Sequence, residues 1–256
     1  MRKFVLGDIH GAHKALIECL KGVSFDYEAD MLIFLGDVCD GWSETIECIE
    51  ELMKIKHLVY IRGNHDDWTL NYLRGQLSFK MSSTGTSWLH HGGQITKDRL
   101  DAASPTERAM VKSFLRSGVK YHIDTHNNVY THAGFNLNEP IELQSWNTFM
   151  WDRNMVLDAI NKLDKKEKVS DEDSYFGMRE SFYNSKNIYN KIYIGHTPTT
   201  YLIEDSDMPM NLGTNIVLLD TGAAFRGKLT IMNVDDGSIF QSTPPYLLYL
   251  NEKGRN

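Results

Sequence analysis

The chain has 256 residues, of which 34 are acidic and 27 are basic, so its formal net charge is −7 at pH 7. Its hydrophobic content of 41% can build a sizeable core, which excludes wholesale disorder. The excess of acidic residues argues against bulk, non-specific binding of nucleic acid, because such binding needs a basic surface.

The first third of the chain alternates short apolar runs with amphipathic stretches. The apolar runs predict strands at 4–6, 31–35 and 57–61. The amphipathic stretches predict helices at 12–21, after Ser43 as an N-cap, and from about Trp68. This order of elements favours a sheet with helices on its faces, in which ligands bind beyond the carboxyl ends of the strands.

The middle of the chain is more helical, and the last third is rich in strands. Ser104, Pro105 and Glu107 form a helix-start signal with a capping box. A further helix is predicted over 154–163, and the charged stretch 164–173 is interpreted as an exposed loop. Strands are predicted at 121–124, 128–131, 191–194, 216–220, 229–234 and 238–241.

Clusters of acidic residues and histidines directly follow five of the predicted strands. Three follow the opening strands: Gly7-Asp8-Ile9-His10-Gly11, Gly36-Asp37-Val38-Cys39-Asp40 and Gly63-Asn64-His65-Asp66. Two follow later strands: Thr131-His132-Ala133-Gly134 and Gly195-His196-Thr197. One such cluster alone is more often turn chemistry than a ligand site, but five together predict one shared crevice. The side chains brought to it are Asp8, His10, Asp37, Asn64, His132 and His196.

This mixed set of oxygen and imidazole ligands suits Mn²⁺, Fe or Zn²⁺ and is too rich in nitrogen for a dedicated Ca²⁺ cage. Six protein ligands are more than one tetrahedral site holds. A carboxylate that bridges two ions about 3.5–4 Å apart accommodates them all. The sequence therefore predicts a site for two metal ions.

In this order, the motifs resemble those of the calcineurin-like metallophosphoesterases. The spacing of Asp8, Asp37 and Asn64 is similar to that of the phosphoprotein phosphatase branch. Later segments resemble the small bacterial and bacteriophage serine/threonine phosphatases of the phage lambda type, among them Trp88 to Gly93 and Trp151-Asp152-Arg153. The resemblance spans about residues 3 to 234. It implies an α/β fold with two stacked mixed β-sheets flanked by helices, a four-layer sandwich.

The resemblance also implies two divalent metal ions as cofactors, with manganese as first choice and Fe, Zn, Ni and Mg as alternatives. Asp8 and His10 would bind the first ion, and Asp37 would bridge the two. The second ion would be bound by Asn64, His132 and His196. A hydroxide bridging the ions would attack the phosphorus directly, so that no side chain is phosphorylated.

Four further residues receive roles from the same resemblance. His65 would be the general acid that protonates the leaving group, and Asp40 would hydrogen-bond its other nitrogen and favour the protonated form. Arg153, together with Asn64, would bind the substrate phosphate. Asp66, where this branch usually has glutamate, is expected to support its loop rather than to react.

The sequence departs from the family at one position beside the site. The second motif of the family normally continues into Arg-Gly, and that arginine binds phosphate; this chain has Gly41 and Trp42 there. Trp42 could stack on a nucleobase at the rim of the site or pack against the following helix, and we favour packing.

These features predict a phosphoric monoester hydrolase, with serine/threonine protein phosphatase as the first choice. The alternative is a dinucleoside polyphosphate, nucleotide or nucleic-acid-end phosphatase with the same metals. A remote alternative is an inactive phospho-binding module, which would have no use for a general acid such as His65. The partner is accordingly a phosphorylated protein or a small phosphoester or nucleotide.

No linker-like segment interrupts the chain, so we expect a single domain over 1–256 with a peripheral C-terminal tail from about 243 to 256. No apolar run approaches the roughly 18 residues of a membrane-spanning helix. Cys19, Cys39 and Cys48 are odd in number and lack metal-finger spacing, as expected of reduced thiols. We therefore expect a cytoplasmic protein that does not enter membranes.

Overall fold

Two mixed β-sheets form the centre of the molecule in the computed structural model, which describes residues 1–77, 87–168, 188–202, 206–212 and 215–255. The strands of the first sheet, in chain order, are β1 Lys3–Leu6, β2 Met31–Phe34, β3 His57–Tyr60, β9 Thr230–Asn233 and β10 Ile239–Gln241. They are arranged in the order β10-β9-β1-β2-β3. The three opening strands are parallel, β9 pairs antiparallel with β1, and β10 pairs antiparallel with β9.

The second sheet has a parallel centre and an antiparallel strand at each edge. Its strands are β4 Tyr121–Ile123, β5 Val129–Thr131, β6 Ile192–Ile194, β7 Met210–Asn211 and β8 Ile216–Leu218. They are arranged in the order β4-β5-β6-β8-β7, and β5, β6 and β8 run parallel. Parallel strands align their carboxyl ends, so each sheet presents one edge where loops from several strands meet.

Helices cover the outer faces of the sheets. The helices before residue 120 are α1 His13–Gly22, α2 Thr45–Leu52, α3 Asn64–Leu73, α4 Gln94–Ala102 and α5 Pro105–Ser117. The later helices are α6 Trp146–Trp151, α7 Asn154–Lys168, α8 Thr199–Leu202 and α9 Pro245–Leu248. Before α4 the chain kinks at His91 and Gly92, whose backbone angles are not helical. No helix in the described part of the chain is long and apolar enough to cross a membrane.

The alternation of side chains along the strands separates three layers of core. Val5 and Ile33 of the first sheet pack with Tyr130, Tyr193 and Leu219 of the second, between the sheets. The neighbouring residues along the same strands, such as Leu6 and Phe34, face the helices instead. Two stacked sheets with helices outside confirm the α/β architecture expected from the sequence, and they align the two sets of strand ends.

Several element boundaries differ from the sequence predictions, among them the starts of α2 and α3 and the end of α7. Helix α2 has Glu44 rather than Ser43 at its N-cap, because Ser43 hydrogen-bonds Glu252 of the C-terminal tail. Helix α3 begins at Asn64, four residues before Trp68, so the motif itself forms its first turn. Helix α7 continues to Lys168 through part of the predicted loop 164–173, whose remainder lies outside the described residues.

The C-terminal tail packs against the loop after β2, which differs from the peripheral position that we expected. Trp42 is fully buried and stacks on Tyr249 at 5.3 Å between ring centroids, and its indole Nε1 donates to the carbonyl of Ala223. This burial agrees with the packing interpretation of Trp42, and the tail joins it in a core that also contains Ile46 and Ile49 of α2. A buried ring is not available to stack on a nucleobase.

Candidate metal centre

The carboxyl ends of strands from both sheets meet at one place, and the predicted ligands follow them. Asp8 and His10 come after β1, Asp37 comes after β2, and Asn64 begins α3 after β3. His132 and His196 follow β5 and β6 of the second sheet. All of these side chains are buried. The sheet stacking therefore brings together residues that are far apart in the sequence.

Asp37 lies between two groups of side chains that could each hold a metal ion. One group is Asp8, His10 and Asp37, and the other is Asp37, His132 and His196. Within each group the candidate ligand atoms lie within 4.8 Å of one another. Asp37 Oδ2 is 3.8 Å from His10 Nε2 and 3.4 Å from His132 Nε2. The Asn64 side-chain oxygen lies 3.0 Å from the same His132 nitrogen, which places it with the second group.

The backbone orients the histidines toward this centre. Nδ1 of His10 is 2.9 Å from the carbonyl of Cys39, and Nδ1 of His132 is 2.9 Å from the carbonyl of Leu35. A hydrogen bond to a carbonyl requires the proton on Nδ1, which leaves the lone pair on Nε2 for a metal. Burial lowers the pKa of His10 and of His196 well below the ordinary value, which favours the neutral form that binds metals.

Two buried side-chain atoms of the centre lack a hydrogen-bond partner within the described part of the chain, as expected of atoms that bind cations. Asp8 Oδ1 and His196 Nε2 have no hydrogen-bond partner among the described residues. Glycines also allow the close approach of the carboxylates: a Cβ at Gly63 would lie 2.0 Å from Asp37 Oδ1, and one at Gly195 would lie 2.2 Å from Asp8 Oδ1. Because a buried polar atom is stable only with a partner, this donor set fits two divalent ions.

The electrostatics of the carboxylates lead to the same conclusion. Burial raises the pKa of Asp8 well above its ordinary value, and the charges of Asp220 and Asp37 raise it further. Burial also raises the pKa of Asp220 to about 6. For Asp37 burial acts in the same direction, but the charges of His132 and His65 outweigh it and lower the pKa. Without cations the cluster would hold some of its protons near neutral pH, and cations would displace them.

Several residues of the centre adopt backbone conformations that are uncommon for residues with a side chain. His10, Asp37, Asp40 and His196 all have positive φ, between 51° and 71°. In the described part of the chain, only Ser24 and Asn127 are further non-glycine residues of this kind. Such strain persists where surrounding contacts enforce it, and it concentrates at functional sites.

Asp66 holds together the loop that carries Asp37. Its carboxylate accepts backbone N–H bonds from Asp37 at 2.9 Å, Val38 at 2.8 Å and Gly63 at 3.1 Å. The hydroxyl of Tyr60 donates to it at 2.8 Å. These contacts agree with the supporting position that we expected for this residue, and they join the loops after β2 and β3 into one unit.

His65 and Asp40 form a buried pair beside the metal ligands. His65 Nδ1 is 2.6 Å from Asp40 Oδ2, and the His65 ring lies 5.0 Å from the ring of His10. The same Asp40 oxygen accepts the indole N–H of Trp88 at 2.7 Å. We expected Asp40 to favour protonated His65, but burial and the charge of Arg255 outweigh it and lower the pKa of His65.

Arginines and tryptophans form the surroundings of the centre. Arg153 is exposed, and partial desolvation and the charge of Arg255 lower its pKa. Trp68 lies between His65 and Trp151, with 5.0 Å between ring centroids on each side. No sequence pattern predicted a role for Trp68, Trp88 or Arg255. Only the Trp88 segment gave a signal, through its resemblance to the phosphatases.

Comparisons with known proteins identify relatives of the chain. The family model described as calcineurin-like phosphoesterase matches residues 1–220. Serine/threonine-protein phosphatase 1 of Salmonella typhimurium is 24% identical over 232 residues, which cover 90% of this chain and 91% of that protein. The symmetrical bis(5'-nucleosyl)-tetraphosphatase of Ectopseudomonas mendocina is 24% identical, over 96% of this chain and 99% of that protein.

A solved structure shares the fold. The crystal structure of a protein assigned provisionally as a diadenosine tetraphosphatase superposes with a TM-score of 0.63 at 17% identity. The superposition covers 94% of this chain and 92% of that one. At this identity the likeness concerns the fold alone.

We expect Asp66→Ala to weaken metal binding by roughly 10- to 100-fold, because removal of a residue that orients metal ligands typically has this effect. The dissociation constant for Mn²⁺, measured by equilibrium dialysis, tests this. Asp67→Ala is the matched control, since Asp67 contacts Arg62 and Asn71 instead of the ligand loop. Equal Mn²⁺ affinity in the two variants would contradict a supporting role for Asp66.

Proposed function

Because the chain belongs to the calcineurin-like phosphoesterase family, we propose that it is a metal-dependent phosphoric monoester hydrolase that dephosphorylates phosphoserine and phosphothreonine in proteins. One observation carries the proposal: two groups of metal-binding side chains share Asp37, and the His65–Asp40 pair lies beside them. Serine/threonine-protein phosphatase 1 of Salmonella typhimurium, which matches 90% of this chain, supports this substrate class.

The family uses a dinuclear metal centre, and the donor set of this chain fits one. Asp8 and His10 would hold one ion, Asp37 would contribute to both, and the remaining ligands would be Asn64, His132 and His196. When bound, two divalent ions supply Lewis-acid activation of water and of the phosphate group. Manganese is our first choice, and iron, zinc, nickel and magnesium are alternatives that suit the same donors.

His65 is the group in this site that can deliver a proton to the leaving oxygen. Its Nδ1 is fixed by Asp40, so Nε2 is the nitrogen that can face a substrate. Trp88 holds the same carboxylate from its other side and keeps the pair in one orientation. An alkoxide from serine or threonine is a poor leaving group, and protonation by His65 would make its departure much easier.

Arg153 and Asn64 would bind the phosphate group. The guanidinium of Arg153 has no ion-pair partner among the described residues and lies close enough to Asp37 and Asp220 to sense their charges. A guanidinium can donate two parallel hydrogen bonds to phosphate oxygens, which fixes orientation as well as charge. Asn64 lies at the second metal group and would place the substrate against it.

A second candidate is hydrolysis of dinucleoside polyphosphates. Trp151 is half-buried and packs edge-on against the buried Trp68, which in turn contacts His65, so that a nucleobase could stack on Trp151 near the site. The symmetrical bis(5'-nucleosyl)-tetraphosphatase of Ectopseudomonas mendocina, which matches 96% of this chain, supports this alternative. Trp42 does not contribute to it, since its ring is buried under the tail. An inactive phospho-binding module is disfavoured because it would not need the His65–Asp40 pair.

The test of substrate class is a panel of substrates with the Mn²⁺-loaded protein. We expect kcat/KM to be highest for a phosphoserine or phosphothreonine peptide, lower for p-nitrophenyl phosphate, and lowest for diadenosine tetraphosphate. A preference for the dinucleotide would favour the second candidate. No turnover of any of these substrates, with Mn²⁺ or with the alternative metals, would contradict the hydrolase assignment itself.

His65→Gln should separate the substrates by their leaving groups. We expect turnover of the phosphoserine peptide to fall by about 10²- to 10⁴-fold, the usual contribution of a general acid. Turnover of p-nitrophenyl phosphate should fall much less, because p-nitrophenolate leaves without a proton. His57→Gln, on strand β3, is the control and should leave both rates unchanged. Equal losses on both substrates would indicate that His65 does not act as an acid.

A further inference from the structure

The C-terminal tail is anchored next to the metal centre by several contacts. Tyr249 stacks on Trp42, and the carboxylate of Glu252 accepts hydrogen bonds from the backbone N–H and the hydroxyl of Ser43, at 2.9 and 2.6 Å. The backbone N–H of Arg255 donates to the carbonyl of Ala224 at 2.8 Å. These contacts fix where the Arg255 side chain begins.

From this anchor, the Arg255 side chain reaches the candidate metal ligands. Its Nη1 lies 3.3 Å from Nε2 of His10, the nitrogen that is free to bind a metal. The aliphatic part of the Arg255 side chain lies close to two glycines. A Cβ atom at Gly92 would lie 2.7 Å from Arg255 Cγ, and a Cβ atom at Gly41 would lie 3.6 Å from it. Gly41 is the position where the family has its phosphate-binding arginine. The space that an arginine side chain at position 41 would occupy borders the aliphatic part of Arg255.

The charge of Arg255 is not neutralised by the protein. No carboxylate of the described chain lies within ion-pair distance of its guanidinium, and its buried Nε has no hydrogen-bond partner in the same part of the chain. Its positive charge helps to lower the pKa of His10, His65 and Arg153. The guanidinium lies over the ring of Phe225, 5.1 Å from its centroid, and its charge opposes the rise that burial causes in the pKa of Asp220. Neither residue forms an ion pair with it, so an anion would stabilise this half-buried cation further.

The contact with His10 does not supply that stabilisation once metal is present. His10 Nε2 has one lone pair, which cannot both accept a hydrogen bond from Arg255 and bind a metal ion. A metal ion held by His10 would therefore leave the guanidinium without this contact, and it would add positive charge next to it. Arg255 and Arg153 then lie in one region beside the centre, where a phosphate dianion would neutralise both.

We propose that Arg255 binds the phosphate group of the substrate, so that the C-terminal tail supplies a guanidinium beside Gly41. This inference rests on the proposed phosphoester hydrolysis and deepens it by assigning a second phosphate-binding arginine. It also makes the anchored tail part of the active site. Two guanidinium groups favour a terminal phosphate, whose three free oxygens can accept hydrogen bonds from both.

The experiment measures the dissociation constant of inorganic phosphate for the Mn²⁺-loaded protein by calorimetry. Arg255→Ala should weaken phosphate binding roughly 10- to 150-fold, the range for loss of charge-assisted hydrogen bonds. Arg255→Lys keeps the positive charge but loses the guanidinium that can donate two parallel hydrogen bonds. Its dissociation constant for phosphate should lie between those of the wild type and Arg255→Ala. Lys253→Ala, which removes an exposed cation from the same tail, is the control and should bind phosphate as the wild type does.

Two results would overturn the inference. One is unchanged phosphate affinity in Arg255→Ala with a wild-type melting temperature. The other is a gain of affinity or activity, which would make the tail an inhibitor that competes with metal at His10. If Arg255→Ala does not fold, Arg255→Lys and Arg255→Gln provide the same comparison. Failure of the wild type to hydrolyse any phosphoester would count against the proposed function, whereas the phosphate titration tests Arg255 separately.

Discussion

Burial of several carboxylates and imidazoles at one point is the constraint on which the rest of the structure depends. Asp8, Asp37 and Asp220 are each at most 3% exposed, and charges are removed from water at a large cost unless they are paired or bind metals. The stacking of the two mixed sheets creates this point, since it brings the ends of the parallel strands of both sheets together. The donors in it have the composition of a site for two divalent ions.

The surrounding residues act mainly to hold this centre in place. Asp66 ties the loops after β2 and β3 together, and carbonyls of Cys39 and Leu35 set the orientation of two histidines. Trp88 fixes Asp40, which in turn fixes His65. Such supporting contacts decide how accurately a site is preorganised. In this chain the same support includes the C-terminal tail, which buries Trp42 and places Arg255 beside His10.

The sequence was most informative where the relevant pattern is local. Short apolar runs followed by Gly-Asp-x-His or Gly-Asn-His predicted both the strands and the convergence of their ends, and the architecture was confirmed. Helix α3 was placed too late because its first turn is the polar motif itself, which lacks apolar periodicity. The position of Arg255 depends on a contact with His10, 245 residues away, and on stacking of Tyr249 on Trp42. Neither contact has a periodic signature in the sequence.

The central claim is that Asp37 joins two metal ions in one centre, and electron paramagnetic resonance of the Mn²⁺-loaded protein tests it directly. Two Mn²⁺ ions that share a carboxylate at about 3.5–4 Å are magnetically coupled. We predict the spectrum of a coupled pair for the wild type and its loss in Asp37→Asn. The spectrum of isolated Mn²⁺ ions in the wild type, at saturating metal, would contradict the claim.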